Sequence, residues 1–593
     1  MFMSATLLPS LSFDDDVASS VSSACNPAVA AATTTLVLAI VVSYLLWRMS
    51  ESARVRKIVR GAGMSLPTVV PLLPKWLGFV GGHTLMMKQE EMVQQVEDWA
   101  DELGGDYELR AFGNRVVVVT GLVDIRRILT LRPSRFKRGL TETQIHWAAI
   151  ETGVAPSMFF DEGKEWGRSR RLISPSLNGH NIAAMLPIMT KIGERLCAEL
   201  SVQADAGEAV DAIPSFERFA HDVIALAAFG FDADSIGASK HGGACRSYDS
   251  MKVIVQAAMD LMVQPLAILG WVTLPWMLPW VRRVRERSSQ LRDAVQGTID
   301  AVRRETEENG AASSSPSSGA DDTPLHGGAL LRKMVGASAT SAVGNDAAEA
   351  AGGGGRAGLS NRMAFSDDEV LRQAMGLFIA GTATTALPLS WSMYYLAKNP
   401  EIFARCREEA LRVAPLSDGM ISTSEELSQL VYCSAVFKET LRLRTAGSFI
   451  FLHNTEEHTM ESGMKLEAGT GVIVLTRRVS LSEDAFTRPT DFVPERWIEA
   501  ERKEALLGKA VGDGDSDACS IRHTENAILS FGGGPRVCPG KDMANTEAAI
   551  MLAAICARFD ISLAPGQADP PEEIMTFTVG PRAVKLVLTR RTA

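Results

Sequence analysis

The sequence predicts a mainly α protein with a smaller β portion, preceded by a single N-terminal transmembrane helix. Three observations carry that expectation: an uncharged apolar run at 28–47, a 33-residue helical pattern at 366–398, and an apolar helical pattern directly after a glycine-rich loop at 531–540. The chain has 593 residues, 46% hydrophobic and 22% charged, enough to bury a large core. Sixty basic residues against 70 acidic ones leave a formal charge of −10, which excludes a nucleic-acid binder resting on bulk positive charge.

The first element is the run AVAAATTTLVLAIVVSYLLW at 28–47. Its 20 residues would span about 30 Å as a helix, the thickness of bilayer hydrocarbon. Asp14, Asp15 and Asp16 precede it without any Lys or Arg, and Arg48, Arg54, Arg56, Lys57 and Arg60 follow it, so the body is expected on the cytosolic side. A cleaved secretory signal or an organelle transit peptide would carry basic residues ahead of the apolar run, and none are there. Residues 1–27 are then a non-cytosolic tail, 28–47 an anchor, and 48–75 a basic, Pro-rich linker stiffened by Pro67, Pro71 and Pro74.

The folded body is expected over 76–593, interrupted by a low-complexity insert at 307–361 that contains SSSPSSG and GGGG. No Lys-Ser or Lys-Thr follows the glycine run, so it is not a phosphate loop, and only Leu330–Val335 offers an apolar stretch. A helix should start at Ser366, which has capping-box spacing to Glu369 and is followed by Asp367 and Asp368 at the positive end of the dipole. Its 33 residues would reach about 50 Å. At its middle, Gly381 with Thr382, Thr384 and Thr385 is either a place where a ligand approaches and the helix opens or a polar interruption of a core helix.

Eight cysteines without a CxxC pair imply neither a zinc site nor a disulfide frame. Cys538 differs from the others because it stands in FGGGPRVCPG, just ahead of KDMANTEAAIMLAAICARF, which has the apolar spacing of an amphipathic helix. A helix start favours thiolate over thiol, glycines let backbone wrap a flat ligand, and Arg536 can pair with a carboxylate. Together these features suggest haem.

Phe531, Gly534, Arg536, Cys538 and Gly540 reproduce the signature F-x-x-G-x-R-x-C-x-G, and here the chain resembles the cytochrome P-450 family. The resemblance implies that Cys538 is the axial iron ligand, Arg536 a propionate partner, Phe531 a cover for the sulfur and Gly540 part of the cofactor loop. Three further motifs follow the family order. Trp166 and Arg170 of EWGRSRR fall where the family keeps a propionate-binding helix. Glu439 and Arg442 of ETLR, with Arg496 of FVPERW, match a buried charge network behind the haem. Ala380–Thr385 looks like the distal oxygen motif, which places Thr384 beside oxygen with Thr385 next to it. His453 is either another propionate donor or a structural histidine. Two positions depart from the pattern: Ala383 stands where the family usually has Asp or Glu, and RLRTAG at 442–447 lacks the usual prolines.

With anchor and insert subtracted, about 480 residues remain for one cytochrome P-450 fold, which leaves no length for flavin domains. The resemblance therefore implies a monooxygenase with haem b and molecular oxygen. Its electrons would come from NADPH through a membrane-bound flavoprotein reductase, with cytochrome b5 as a possible helper. It also implies the endoplasmic reticulum, with the catalytic domain in the cytosol. Phe378, Ile379, Ala380, residues 448–452 and Phe577 suggest an apolar pocket for a lipophilic substrate. Two alternatives stand beside this reading: a same-fold isomerase or dehydratase acting on a lipid hydroperoxide, motivated by Ala383, and a non-catalytic membrane-anchored haem binder.

Overall fold

The computed structural model describes residues 89–111, 114–138, 157–240, 245–263, 278–312, 328, 330–335, 365–498, 527–576 and 578–591. The expected tail, anchor and linker at 1–75 lie outside the described residues, as does Phe577. Two compact units are distinguished, one comprising 1–86 with 108–115, the other 87–107 with 116–593. In the smaller unit, Arg115 Nε donates to Glu108 Oε2 at 2.8 Å, and both side chains are buried.

The larger unit is mostly helical. Its first helices are α1 (Met92–Leu103), α2 (Leu122–Thr130), α3 (Gly163–Ile173), α4 (Gly179–Asp205) and α5 (Ala212–Val223), the last running on into a π-turn at Ile224–Ala228. Then come α6 (Arg246–Val263), α7 (Leu278–Ala312), α8 (Asp367–Lys398), α9 (Pro400–Val413), α10 (Val431–Leu443) and α11 (Lys541–Arg558).

The long helix α8 starts at the predicted capping box: Ser366 and Glu369 satisfy each other's backbone N–H groups. It packs most extensively against α5. Among the described residues it is the one helix long and apolar enough to cross a bilayer, but 72% of that window is buried, as in a core helix. The pattern after Cys538, expected to be amphipathic, is instead sealed: from Thr546 to Ala557 every residue of α11 is buried. Its many alanines let α4, α9 and α10 approach it closely, so one apolar core gathers around α8 and α11.

The β portion is smaller, as expected. Val116–Val119, the end of a strand that begins at Asn114, runs parallel to a strand at Gly471–Leu475. That strand pairs antiparallel with Phe449–Asn454, which covers most of the strand-like stretch at 448–452, and Phe449–Asn454 pairs with Phe136–Lys137. Val116 to Val119 are all at most 1% exposed, so this run is apolar on both faces rather than alternating. A hairpin at Glu573–Met575 and Val579–Pro581 ties back to the turn after α10 through Val579 N–H and Ala446 O at 2.9 Å.

The expected insert at 307–361 is corrected at two places. Helix α7 continues through residues 307–312, and residues 330–335 are helical, with Leu330, Leu331, Met334 and Val335 at most 2% exposed. The apolar spacing Leu-Leu-x-x-Met-Val supplies a stripe that the core accepts. The RLRTAG turn, which lacks prolines, is held by side chains: Ser448 Oγ donates to Thr445 O at 3.1 Å and Thr476 Oγ1 to Gly447 O at 2.7 Å.

Candidate active site

The cysteine loop is fixed by glycine and by α2. Gly534 has φ +63°, and a Cβ there would collide with the Leu129 carbonyl oxygen at the end of α2, so no other residue fits without moving backbone. Phe531 packs against the core, and its carbonyl accepts the Cys538 N–H at 2.9 Å, closing the loop across eight residues. Gly540 is the N-cap of α11, and its N–H points at the Cys538 sulfur.

Cys538 is exposed even though protein surrounds it densely enough to push its thiol pKa above the ordinary value. A side chain is desolvated and accessible at once where it lines an internal recess. The expectation that the loop by itself favours thiolate is corrected here. Burial raises the pKa and outweighs the Gly540 N–H and the Arg170 guanidinium, which lower it. A thiol in this position becomes thiolate when a cation binds it.

Four guanidinium groups gather near this loop. Arg536 Nη2 donates to Asp161 O at 2.6 Å, stands 2.6 Å from Glu162 Oε2, and its guanidinium lies 4.6 Å above the Trp166 ring of α3. Arg170 is one turn further along α3, where burial lowers its pKa and the Cys538 sulfur opposes that shift. Two more arginines come from the segment after α2 and were missed in the sequence. Burial, with Arg536 as a repelling neighbour, lowers the pKa of Arg132 to about 10. Burial and repulsion from Arg132 and Arg536 lower that of Arg138 to about 9.

This cluster is not closed on itself. Arg132 Nε, Arg138 Nε, and Arg536 Nε and Nη1 are buried and have no hydrogen-bond partner. Like charges held together in low dielectric with unused donors are costly unless an anion satisfies them. A flat ligand that brings two carboxylates to the arginines and a metal to Cys538 fits this donor set. Haem has that chemistry.

On α8, Thr384 is exposed in the middle of a helix that is otherwise largely buried. Leu377, Ala380 and Ala383 near it on the helix are also partly exposed, while Gly381 backs onto the Ile224 side chain. The Thr384 hydroxyl donates to Ala380 O at 2.6 Å. Thr385 turns the other way and is 3% exposed, and Phe378, placed in the pocket by the sequence reading, is 0% exposed and packs against Phe229. The helix does not break at Gly381. Pro388 further along has no N–H to give to the Thr384 carbonyl, which therefore lacks its i+4 partner in an otherwise continuous helix. Pro388 is visible in ALPLSW, four residues after Thr384, and was missed as a signal.

The structure brings Glu439, Arg442 and Arg496 together. Glu439 Oε1 accepts from Arg442 Nη2 at 2.8 Å, Val493 N at 2.9 Å and Arg496 Nε at 3.1 Å. Its Oε2 accepts from Arg442 Nε at 2.9 Å and Trp497 Nε1 at 3.1 Å. His453 is half-buried on the strand Phe449–Asn454, opposite Lys137 and Gly471.

A family model described as Cytochrome P450 matches residues 71–588. The chain is 23% identical over 497 residues to Protein LUTEIN DEFICIENT 5, chloroplastic, of Arabidopsis thaliana, covering 82% of this chain and 72% of that protein. It is 25% identical over 489 residues to Cytochrome P450 97B2, chloroplastic, of Glycine max, covering 79% and 77%. It is 22% identical over 475 residues to Carotene epsilon-monooxygenase, chloroplastic, of Arabidopsis thaliana, again covering 79% and 77%. All three relatives are chloroplastic, which overturns the expectation of an endoplasmic-reticulum protein with a cytosolic catalytic domain. The basic flank after 28–47 reports charge asymmetry and not which membrane or organelle receives the chain.

Proposed function

We propose a site assignment and a substrate class on one premise: the chain belongs to the cytochrome P450 family. It is accordingly an oxidoreductase, a monooxygenase that takes haem with a thiolate ligand, molecular oxygen, and electrons from a partner reductase. Within that reading Cys538 holds the iron, and Arg132, Arg138, Arg170 and Arg536 hold the two propionates. The observation that carries the assignment is the set of buried guanidinium nitrogens without partners in the same region as an accessible, desolvated cysteine.

When bound, the haem supplies oxygen activation, with sulfur donation to the iron favouring O–O cleavage. The chain's own residues do the rest. Gly540 N–H and Arg170 stabilise negative charge on the Cys538 sulfur. Trp166 backs the Arg536 guanidinium. Because the Thr384 hydroxyl gives its proton to Ala380 O, its oxygen is left to accept a hydrogen bond from water in the recess. The Thr384 carbonyl, freed by Pro388, is a second acceptor on the same residue. With Ala383 in place of a carboxylate, protons arrive through water held at these two oxygens. Leu377, Ala380 and Ala383 on the open face exclude other water and contact substrate through apolar surface.

The substrate is a lipophilic isoprenoid, and carotenes are the first class to test, since one relative spanning most of the chain is a carotene monooxygenase. The enzyme works in a plastid, where an NADPH-dependent flavoprotein reductase delivers electrons. The site assignment is tested by the reduced, carbon-monoxide-bound absorption spectrum, in which Cys538→Ala should abolish the thiolate-type band. Activity is tested with carotene, oxygen, reductase and NADPH, where hydroxylated product is expected. Turnover of a lipid hydroperoxide without oxygen or reductase, the reaction Ala383 leaves open, would sink the monooxygenase assignment.

A further inference from the structure

Glu162 is the N-cap residue of α3, yet its side chain makes no capping hydrogen bond. An N-cap side chain normally satisfies free N–H groups of the first turn. Here both carboxylate oxygens face arginines instead, Oε1 in a hydrogen bond and Oε2 in an ion pair that lacks hydrogen-bond geometry. Oε1 accepts the Arg138 backbone N–H at 3.2 Å, and Oε2 lies 2.6 Å from Arg536 Nη2. The neighbouring Asp161 contributes its carbonyl to the same Nη2, while its carboxylate accepts from Ser169 Oγ at 3.2 Å. Two consecutive residues thus fix one nitrogen of Arg536 and leave Nε and Nη1 without partners. Among the described residues, Glu162 is the carboxylate ion-paired with the cluster of Arg132, Arg138, Arg170 and Arg536.

We propose that Glu162 is a positioning residue for the cofactor's carboxylates, holding Arg536 and the Arg138 backbone so that their free donors face the anionic edge of haem. This rests on the haem assignment above. The alternative is that Glu162 is only a counter-charge that lowers the positive potential of the cluster. The two roles predict opposite signs. Removing a negative charge beside four guanidinium groups makes the site more attractive to an anion, so a pure counter-charge predicts slower haem loss. Positioning predicts faster loss, because the guanidinium loses its fixed geometry.

The test uses the full-length haem-loaded chain and follows haem transfer to an excess of haem-free globin by the shift of the Soret band. Glu162→Gln should release haem about tenfold faster, the loss expected for one charge-assisted contact. A release rate equal to or slower than wild type overturns the proposal. Glu162→Asp keeps the charge and shortens the reach by one methylene, so it cannot span both Arg138 N and Arg536. Positioning predicts that it too releases haem faster than wild type, whereas an unchanged rate overturns the proposal even if Glu162→Gln fails to fold. Circular dichroism and thermal melts identify such a failure. If wild type lacks the thiolate-type spectrum, the haem assignment itself falls. If it has that spectrum and both variants keep it, the release rates report on Glu162 alone.

Discussion

Arg442 and Arg536 are both nearly sealed from solvent, with side chains 0% and 3% exposed, but their surroundings differ. All three nitrogens of Arg442 are used: Nε and Nη2 on Glu439, Nη2 also on Asp491 O, and Nη1 on Ser480 O and Pro489 O. Arg536 uses one nitrogen and leaves two buried without partners, beside Arg132 and Arg138, which are also incompletely satisfied. A closed network repays the desolvation of its charges from within the protein, while an open one leaves a deficit that a ligand can fill. The difference is the ground, independent of motif, on which Arg536 is proposed as a binding arginine and Arg442 as a structural one.

The largest expected effect comes from breaking the closed site. In Glu439→Gln one oxygen becomes an NH2 donor facing donors from Arg442, Val493, Arg496 or Trp497, so Arg442 is left buried and poorly paired. The loss should be about 3–5 kcal/mol in stability, seen as a lower denaturation midpoint even in haem-free protein. Arg138→Gln should do the reverse. It removes a buried like charge, so the haem-free protein should unfold at nearly the wild-type midpoint while haem is retained about tenfold less well. If both variants weaken the haem-free protein equally, the distinction between closed and open sites is wrong.

His221 lies between these extremes. Its Nε2 is 2.9 Å from Ser247 Oγ, its Nδ1 has no partner, and its ring packs edge-on to Phe378 and Tyr248. Burial, helped by Arg218, lowers its pKa from 6.5 to about 3. The native state therefore refuses a proton that the unfolded chain accepts below pH 6.5, and this stabilising contribution is lost as pH falls from 6.5 towards 3. Asp222 next to it has a raised pKa and acts in the opposite direction, so the total acid slope mixes the two. The difference between wild type and His221→Gln isolates the histidine. Urea denaturation at pH 7.5 and 5.5 should show wild type losing about 1.4 kcal/mol more than the variant. Equal losses would mean that His221 can take a proton where it stands.

What was legible in the sequence was local. The cysteine loop, the Ser366–Glu369 cap and the Glu439–Arg442 pair lie within a few residues of one another, and turn or helix geometry alone brings each together. Arg132 and Arg138 were not legible, because five basic residues occur between Arg127 and Arg138 and nothing in the spacing marks the two that are buried near Arg536, some 400 residues later. Glu162 was not singled out at all, and only the fold shows its carboxylate reaching Arg536. The preference of Cys538 for thiolate was misjudged for the same reason: the helix start is local, but the desolvation that outweighs it is tertiary. The apolar run after Cys538 shows the converse error, since alanine spacing that reads as amphipathic also suits a helix surrounded on every side.

The smallest effect is expected at Ala383, where the open face of α8 lacks the carboxylate that the family usually carries there. Thr384 has its hydroxyl proton committed to Ala380 O and its carbonyl released by Pro388, so it offers acceptors to water but no ionisable group. Ala383→Asp adds such a group beside it on a partly exposed surface, where the desolvation cost is modest. If proton delivery limits the reaction, product formed per NADPH consumed should rise by a factor of about two to three, because general acid–base assistance exceeds that of positioned water alone. Thr384→Val in the same background should cancel the gain, since the water that links the new acid to the reacting oxygen then loses its hydroxyl partner. An unchanged ratio in Ala383→Asp would mean that Thr384 and the freed carbonyl already supply protons as fast as electrons arrive. The open site would then be limited by its reductase and not by its own chemistry.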